Sequence, residues 1–124
     1  MAYTEAGVCI TLEAAADLSA AQYYAVYIDS NGQAALCGAD ALAVGILQNK
    51  PSAAGQAATV QISGVSKVVV GTGAATAGAV AGTEAGGDLI DAGTGVSGVG
   101  VFIASGTAGD IVPMLILPRA ADAP

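Results

Sequence analysis

The sequence predicts an all-β protein, built either as a small barrel or as a sandwich. Apolar residues alternate with polar or small residues over short stretches, and turns rich in glycine separate these stretches at regular spacing. No segment makes a convincing helix. The pattern is typical of roughly seven to ten short strands joined by tight turns.

An internal repeat is a further reason for this fold class. Residues 44–62 read VGILQNKPSAAGQAATVQI and residues 99–116 read VGVFIASGTAGDIVPMLI, so each contains two apolar runs around a polar loop. Upstream, Glu84 lies 55 residues after Asp29, and Gly87 lies 55 residues after Gly32. We therefore predict two related halves, 8–64 and 65–117. The alternative is a chance similarity between segments rich in alanine and glycine.

The first half is expected to begin with a strand, because Val8, Ile10 and Leu12 alternate with polar or small residues. Residues 13–21 have the highest helix propensity of the chain. Their counterpart in the second half contains three glycines, GTGAATAGA, which would weaken a helix. If the halves share a backbone, this segment is a loop or an extended connection.

A hairpin is expected next in each half. Residues 23–29 alternate as a strand does, Asn31-Gly32 is a strong hairpin signal, and residues 33–37 supply the returning strand. The corresponding hairpin of the second half has its tip at residues 84–87, where glycine supplies the same freedom at positive φ.

The repeated unit supplies the last strands of each half. Lys50-Pro51 is expected to form an exposed loop tip. Residues 111–117 are apolar on both faces and contain Pro113, which has no backbone donor, so this strand is expected at a sheet edge or with the place of that missing donor turned outward. Residues 1–7 and the tail 118–124 are expected to be extended arms.

Length and composition predict one domain, 1–124, that is weakly stable by itself. Much of the 54% hydrophobic content is alanine, which buries little area, and the chain has one Phe and no Trp. The 18 glycines increase the backbone entropy that is lost on folding. Such a chain is expected to bury further surface against copies of itself or against a larger partner.

Charge and hydropathy argue against two kinds of partner. The net charge of −7 disfavours contact with phosphate backbones, so nucleic-acid binding is not expected. No run of about 18 strongly apolar residues exists, so membrane insertion is not expected either. The N-terminus has no basic region before an apolar stretch, which a secretory signal would need.

Catalysis is also not expected. The chain has no histidine, which removes the usual general base and the commonest transition-metal ligand. Cys9 and Cys37 lie in apolar segments without an adjacent Lys or Arg to activate the thiol. Free, buried thiols are favoured over a disulfide between them. We predict no enzyme activity, no cofactor and no metal.

Two motifs suggest ligands but lack the context that those ligands need. Residues 93–98, GTGVSG, match the GxGxxG fingerprint of dinucleotide-binding folds, but a strand-like segment follows where a helix is required. Asp88 and Asp91 suggest calcium, but two carboxylates fall short of an oxygen cage of roughly six ligands. We interpret both motifs as turns.

Tyrosines are the best candidates for a contact surface, because tyrosine offers a large area at low entropy cost. Ordinary packing within strands is the alternative interpretation. The full set of candidate interface residues is Tyr3, Tyr23, Tyr24, Tyr27, Pro113 and Arg119.

Four segments, taken in order, resemble the small decoration (cement) proteins of bacteriophage capsids. These segments are AAADLSAAQYYAVYIDSNGQ, AVGILQNKP, AGQAATVQISGVSKV and AGDIVPMLILP. The resemblance implies a β-rich structural subunit, often a homotrimer, that binds the outer surface of the assembled capsid and holds major capsid protein subunits together. It also implies a virion protein made in the host bacterial cytoplasm. The alternative is a β-sandwich adhesion or glycan-binding module of a phage fibre or appendage.

Overall fold

The computed structural model describes residues 7–39, 42–92 and 98–117, and these residues form ten β-strands and no helix. The strands belong to two five-stranded sheets in which hydrogen-bonded neighbours run antiparallel. The predicted all-β class is confirmed, and the two sheets are consistent with a sandwich.

The first sheet is built from the earlier part of the chain. Its strands are β1 (Cys9–Glu13), β2 (Ala25–Ile28), β3 (Ala34–Leu36), β4 (Gly45–Leu47) and β5 (Ala57–Gln61). Their order across the sheet is β1-β5-β4-β2-β3. In β1 the side chains of Ile10 and Leu12 are half-buried and the alternate side chains are exposed, as the sequence pattern predicts.

The second sheet is built from the later part of the chain. Its strands are β6 (Gly64–Val69), β7 (Val80–Thr83), β8 (Leu89–Asp91), β9 (Gly100–Phe102) and β10 (Ile111–Ile116). Their order is β6-β10-β9-β7-β8, which matches the order of the first sheet strand for strand. Matching strands begin 55 residues apart, except for β5 and β10, which begin 54 apart. An origin of the two sheets in a repeated sequence stays a prediction.

Hairpin turns occupy matching places in the two sheets. β2 and β3 are joined by a turn in which Gly32, at φ 75°, donates its N–H to the Asp29 carbonyl over 3.0 Å. Between β7 and β8, Gly87 at φ 90° donates its N–H to the Glu84 carbonyl over 3.0 Å. Glycine adopts this left-handed backbone at little cost, which is why the Asn-Gly signal predicted the turn.

Buried side chains form two clusters. The first-sheet cluster contains Ala14, Leu18, Ala21, Val26, Ala34, Leu47, Ala58 and Val60. The shared cluster joins the sheets, because Ala25, Cys37 and Ile46 pack there with second-sheet residues that include Phe102 and Met114. Contact between the sheets is therefore part of the hydrophobic core.

The connection between β1 and β2 is not helical, despite its helix propensity. Leu18 and Ala21 are buried in the first-sheet cluster. The N–H and hydroxyl of Ser19 both donate to Asp17 Oδ1, at 2.9 and 2.6 Å. Such local side-chain bonds offer the backbone an alternative to helix. The loop predicted from the glycine-rich counterpart in the second half is therefore correct, and the helix propensity of residues 13–21 is not decisive.

The expected loop tip at Pro51 is wrong, and of the two alternatives for Pro113 the edge strand is wrong. Pro51 is buried, and the exposed tip of its loop lies at residues 52–57. The strand that carries Pro113, β10, lies between β6 and β9 and is not an edge strand. The β9–β10 ladder ends at the pair of Met114 and Phe102. Pro113 is the next residue of β10 beyond that end, so no ladder bond from the proline is needed.

Candidate binding surface

An open apolar groove lies beside β2 and β3 at one edge of the first sheet. Its volume is about 440 Å³, and it is lined by Tyr27, Ile28, Leu36, Gly38, Leu42 and Val44. Leu42 is 58% exposed and Ile28 is 45% exposed. Apolar side chains gathered in one exposed depression are typical of a surface that binds another protein.

The second sheet also exposes apolar side chains on one face, which we call the open face. Leu115 lies directly opposite Val101, which in turn lies opposite Val80, so these three side chains share a face. Ile111 lies on the same face, four residues before Leu115 in β10. Leu115 is 38% exposed and Ile111 is 46% exposed. The open face and the groove are separate apolar surfaces on different sheets.

The tyrosines of the first sheet differ in their surroundings. Tyr23 is half-buried against the shared cluster, and Lys67 Nζ lies 5.8 Å from the centroid of its ring. Tyr24 is half-buried against the first-sheet cluster. Tyr27 is 36% exposed and lines the groove. Of these three, Tyr27 is the one that offers its side chain to a partner in the groove.

The remaining candidate interface residues are placed differently. Pro113 is fully buried, so its side chain offers no surface to a partner. Tyr3 and Arg119 lie outside the described residues. Sequence reasoning missed three other groove residues, Ile28, Leu36 and Leu42. Ile28 and Leu36 belong to the predicted hairpin, but their residue type did not single them out, and the proximity of Leu42 depends on the return of the chain after β3.

The two cysteine thiols are free. Cys37 is buried, and that burial raises the pKa of its thiol to about 12. Cys9 is exposed, so the expectation that both thiols are buried is wrong for this residue. Cys9 belongs to the alternate positions of β1 that point away from the first-sheet cluster.

Two carboxylates near the second sheet accept hydrogen bonds from loop residues. Asp91 accepts hydrogen bonds from the N–H and hydroxyl of Thr76 at 2.8 and 2.6 Å. Glu84 accepts from the N–H and hydroxyl of Thr72, which lowers the pKa of this carboxyl. Burial, followed by the charge of Glu84, raises the pKa of Asp88.

Other ligand-binding features can be stated for the described ranges. They contain no group of three or more His, Cys, Asp or Glu side chains placed to hold a metal ion. Of the GxGxxG segment, residues 93–97 lie outside the described part. Among the described residues, no helix has the length and apolar character to cross a bilayer.

These sheets define an all-β fold in which two antiparallel five-stranded sheets share one strand order. A solved structure with a similar fold is the N base of the head fiber protein gp8.5 of bacteriophage phi29. The two superpose with a TM-score of 0.66 at 15% sequence identity, covering 90% of this chain and 95% of that one. At this identity the likeness shows the fold. No protein-family model and no curated protein sequence matches the chain.

Proposed function

We propose that this chain is a structural protein of a bacteriophage head, which binds the outside of the assembled capsid and stabilises contacts between major capsid protein subunits. The supporting observation is the fold shared with the N base of a phage head fiber over 90% of this chain. The ordered sequence resemblance to capsid decoration proteins supports the same role. Fold and sequence pattern thus each support a structural protein of a phage.

The character of the core supports dependence on partners. Half of the first-sheet cluster consists of alanine, at Ala14, Ala21, Ala34 and Ala58. The stabilisation from burial grows with apolar area, at roughly 25 cal/mol per Å², so small side chains contribute little. A protein with such a core gains much from covering its exposed apolar surfaces with a neighbour.

Charge supports a position on the outer surface. The chain carries ten acidic and three basic residues. An acidic protein is repelled by packaged DNA but has no such penalty on the outside of a protein shell. In this role the protein has no enzymatic activity and no cofactor, and its partners are the major capsid protein and two further copies of itself in a homotrimer.

Repetition over the lattice supplies the stabilising mechanism. Each subunit would bury a modest area against neighbouring capsid subunits, and the closed shell would repeat that contact many times. Linked contacts add up without any single one being strong, because each bound site holds the next in place. The expected effect on the shell is a higher temperature or force for disruption.

Co-sedimentation tests the proposal. Purified protein is mixed with expanded heads of the cognate phage that lack it, and the pelleted heads are examined for a fixed ratio to the major capsid protein. Saturable binding that raises the temperature of head disruption is expected. Binding that does not saturate, or protein that stays in the supernatant at concentrations far above those of the heads, would refute a decoration role.

A second candidate is an adhesion or glycan-binding module of a phage fibre or appendage, and a specific observation favours it. The structural neighbour is itself the base of a fiber. An appendage module would occupy a few sites per head and would bind glycans or host surfaces. Saturable hits on a glycan array together with sparse sites in electron micrographs of virions would favour this candidate over the first.

A further inference from the structure

We infer that the groove of the first sheet docks on the open face of the second sheet of another copy of this chain, and so repeats between copies the contact that joins the two sheets within one copy. This docking rests on the self-association proposed above and names its surfaces. The two sheets have the same strand order, so each position on one sheet has a counterpart on the other.

The contact within one chain is well defined. The hydrogen bonds that cross it include two between backbone groups, Ala25 N–H to Gly87 O (2.8 Å) and Val69 N–H to Tyr23 O (3.1 Å). Others come from side chains: Thr83 Oγ1 to Gly38 O (2.8 Å), Gln48 Nε2 to Ser66 Oγ (2.9 Å) and Gln61 Nε2 to Val65 O (3.1 Å). The second sheet thus presents the β7–β8 hairpin and the outer edge of β6, and the first sheet receives them.

The receiving surface of the first sheet is fully covered. Ala25 lies opposite Ile46 in the β2–β4 ladder, and Ile46 lies opposite Gln61 in the β4–β5 ladder. These three residues are 0%, 0% and 5% exposed. Ala25 and Ile46 belong to the shared cluster, so it is the second sheet that covers them.

The same register in the second sheet is open. There, Val80 lies opposite Val101, and Val101 lies opposite Leu115. Val80 and Val101 are half-buried, and Leu115 is 38% exposed. The chain therefore carries a second receiving surface that is at least as apolar as the first and has nothing of its own to cover it among the described residues.

The presenting surface shows the reverse difference. In β7, the side chain of Thr83 is 3% exposed, and its hydroxyl donates to the Gly38 carbonyl across the contact. Its counterpart in β2 is Ile28, which is 45% exposed and lines the groove. An isoleucine at the place of a threonine fits a dry contact with another copy better than a contact with water.

The outer edges of β1 and β6 differ in the same way. Val65, opposite Leu115 in the β6–β10 ladder, is 8% exposed. Cys9, in the matching place opposite Gln61, is exposed. Docking would cover Cys9 as the first sheet covers Val65, which makes this thiol a reporter of the contact.

Each copy therefore has one free receiving surface, the open face, and one free presenting surface, the groove. When the groove of one copy docks on the open face of the next, the contact is head-to-tail. Such contacts close into a ring when the rotation between units divides a full turn, and three copies would then place six sheets around the ring. Closure would cover the groove and the part of the open face formed by Val80, Val101 and Leu115, which accounts for the apolar side chains that a single copy leaves in water there.

Three variants test the assignment, each an aspartate in place of an exposed aliphatic side chain. Ile28→Asp changes the groove, and Leu115→Asp changes the open face. Ile111→Asp is the matched control, because Ile111 shares a strand and a face with Leu115 while its counterpart Ala57 remains exposed beside the contact within the chain. Circular dichroism verifies that each variant is folded.

Light scattering after size exclusion gives the first readout. The wild type and Ile111→Asp are expected to form the same oligomer. Ile28→Asp and Leu115→Asp are expected to weaken association by roughly a hundredfold, because docking would bury an unpaired carboxylate. If the wild type oligomerises and both variants match it, the copies meet through other surfaces and the inference is wrong. A monomeric wild type would overturn the proposed self-association itself.

Mixing the two defective variants tests the direction of the contact. A Leu115→Asp copy keeps an intact groove and an Ile28→Asp copy keeps an intact open face, so an equimolar mixture should give one heterodimer that cannot close. Reaction of Cys9 with a maleimide should be slow in the wild-type oligomer and fast in Ile28→Asp. A mixture that stays monomeric, or equal labelling rates in both proteins, would contradict head-to-tail docking.

Discussion

Thr59 of β5 and Pro113 of β10 occupy matching places in the two sheets, yet their backbone groups are accommodated differently. In both sheets the carbonyl at this place accepts an N–H from the residue after the fourth strand, at 2.8 and 3.0 Å. The Thr59 N–H donates to Asn49 Oδ1 over 3.0 Å. Pro113 has no N–H, and Ala104 stands where the first sheet has Asn49. A fold can satisfy a backbone donor or remove it, and here each sheet uses one solution.

A second matching pair, Tyr23 and Gly78, shares one backbone conformation with different side chains. Tyr23 and Gly78 both have positive φ, at 70° and 84°, and their N–H groups donate to Leu47 and Phe102 carbonyls at 2.7 and 2.8 Å. A residue other than glycine loses about 1 kcal/mol in this conformation. Tyr23 offsets the loss by packing against the shared cluster, whereas Gly78 is exposed. At this matching place the side chains differ together with what covers them in the two sheets.

Truncating matching core residues should give the largest effects. Phe102 belongs to the shared cluster and Leu47 to the first-sheet cluster. Phe102→Ala should lower the free energy of unfolding by about 3–5 kcal/mol and Leu47→Ala by about 2–5 kcal/mol, from lost burial and a residual cavity. Urea titration followed by circular dichroism measures both. Because the shared cluster joins the sheets, each variant should show one transition, and two separate transitions would show that the sheets unfold independently.

The arrangement of the second sheet, with Pro113 and Ala104, can be copied into the first sheet by substituting Thr59 and Asn49. Asn49→Ala should lower the free energy of unfolding by about 1 kcal/mol, because the Thr59 N–H loses its acceptor. Thr59→Pro should cost less in the Asn49→Ala background than in the wild type, with a coupling of about 1 kcal/mol. Thr59→Val keeps the N–H and serves as the control, for which no coupling with Asn49→Ala is expected. Additive losses in both cycles would mean that the hydrogen bond does not account for the difference between the sheets.

Cys37 lies in the shared cluster, at the covered surface of the first sheet, and its thiol can report whether that surface stays covered. Because burial raises the pKa of this thiol to about 12, its contribution to stability is complete below its ordinary pKa of 9.0 and falls as pH rises toward 12. In a Cys9→Ser background, native protein at pH 8 should react with a thiol reagent far more slowly than unfolded protein. The variant Cys37→Ala should lose part of the alkaline destabilisation. Rapid native labelling of Cys37 would show that the contact between the sheets opens readily.

The hairpin carboxylates should give the smallest effect. Asp29 accepts from the backbone of its own turn, at Asn31 and Gln33, whereas Glu84 accepts from Thr72 in another loop. Thr72→Val should raise the pKa of Glu84 toward 4.5, since the hydroxyl donor is the main cause of its lowering. The stabilising effect of this bond is present above pH 4.5 and is lost as pH falls through the lowered pKa, and it is small because the group is exposed. Titration by NMR, with Asn31→Ala as a control that leaves Glu84 unchanged, measures the shift.

The fold class could be predicted because its signals are local. Alternation in β1 and the Asn31-Gly32 turn depend on residues that are neighbours in sequence, and both are present in the structure. The place of Pro113 could not be predicted in this way. Whether a proline needs an edge depends on where the neighbouring strand ends, and the end of β9 at Phe102 is a property of the whole sheet.

The candidate surface was predicted only in part for a similar reason. Tyr27 was expected from residue type, and it lines the groove. Tyr23 is equally aromatic but packs inward, because its left-handed backbone places it at the contact between the sheets. Leu42 joins the groove through the return of the chain toward β4, which no periodic pattern in the sequence indicates.

The position of β10 has a consequence for biosynthesis. It is the last of the ten described strands to leave the ribosome. It must nevertheless enter between β6 and β9, which are synthesised before it. A nascent chain that stalls before Ile111 therefore leaves β6 and β9 without their shared partner strand, and unpaired strand edges can pair with another chain. Incomplete translation products of this protein should consequently cross-pair and coaggregate, whereas chains completed through Ile116 supply that strand themselves.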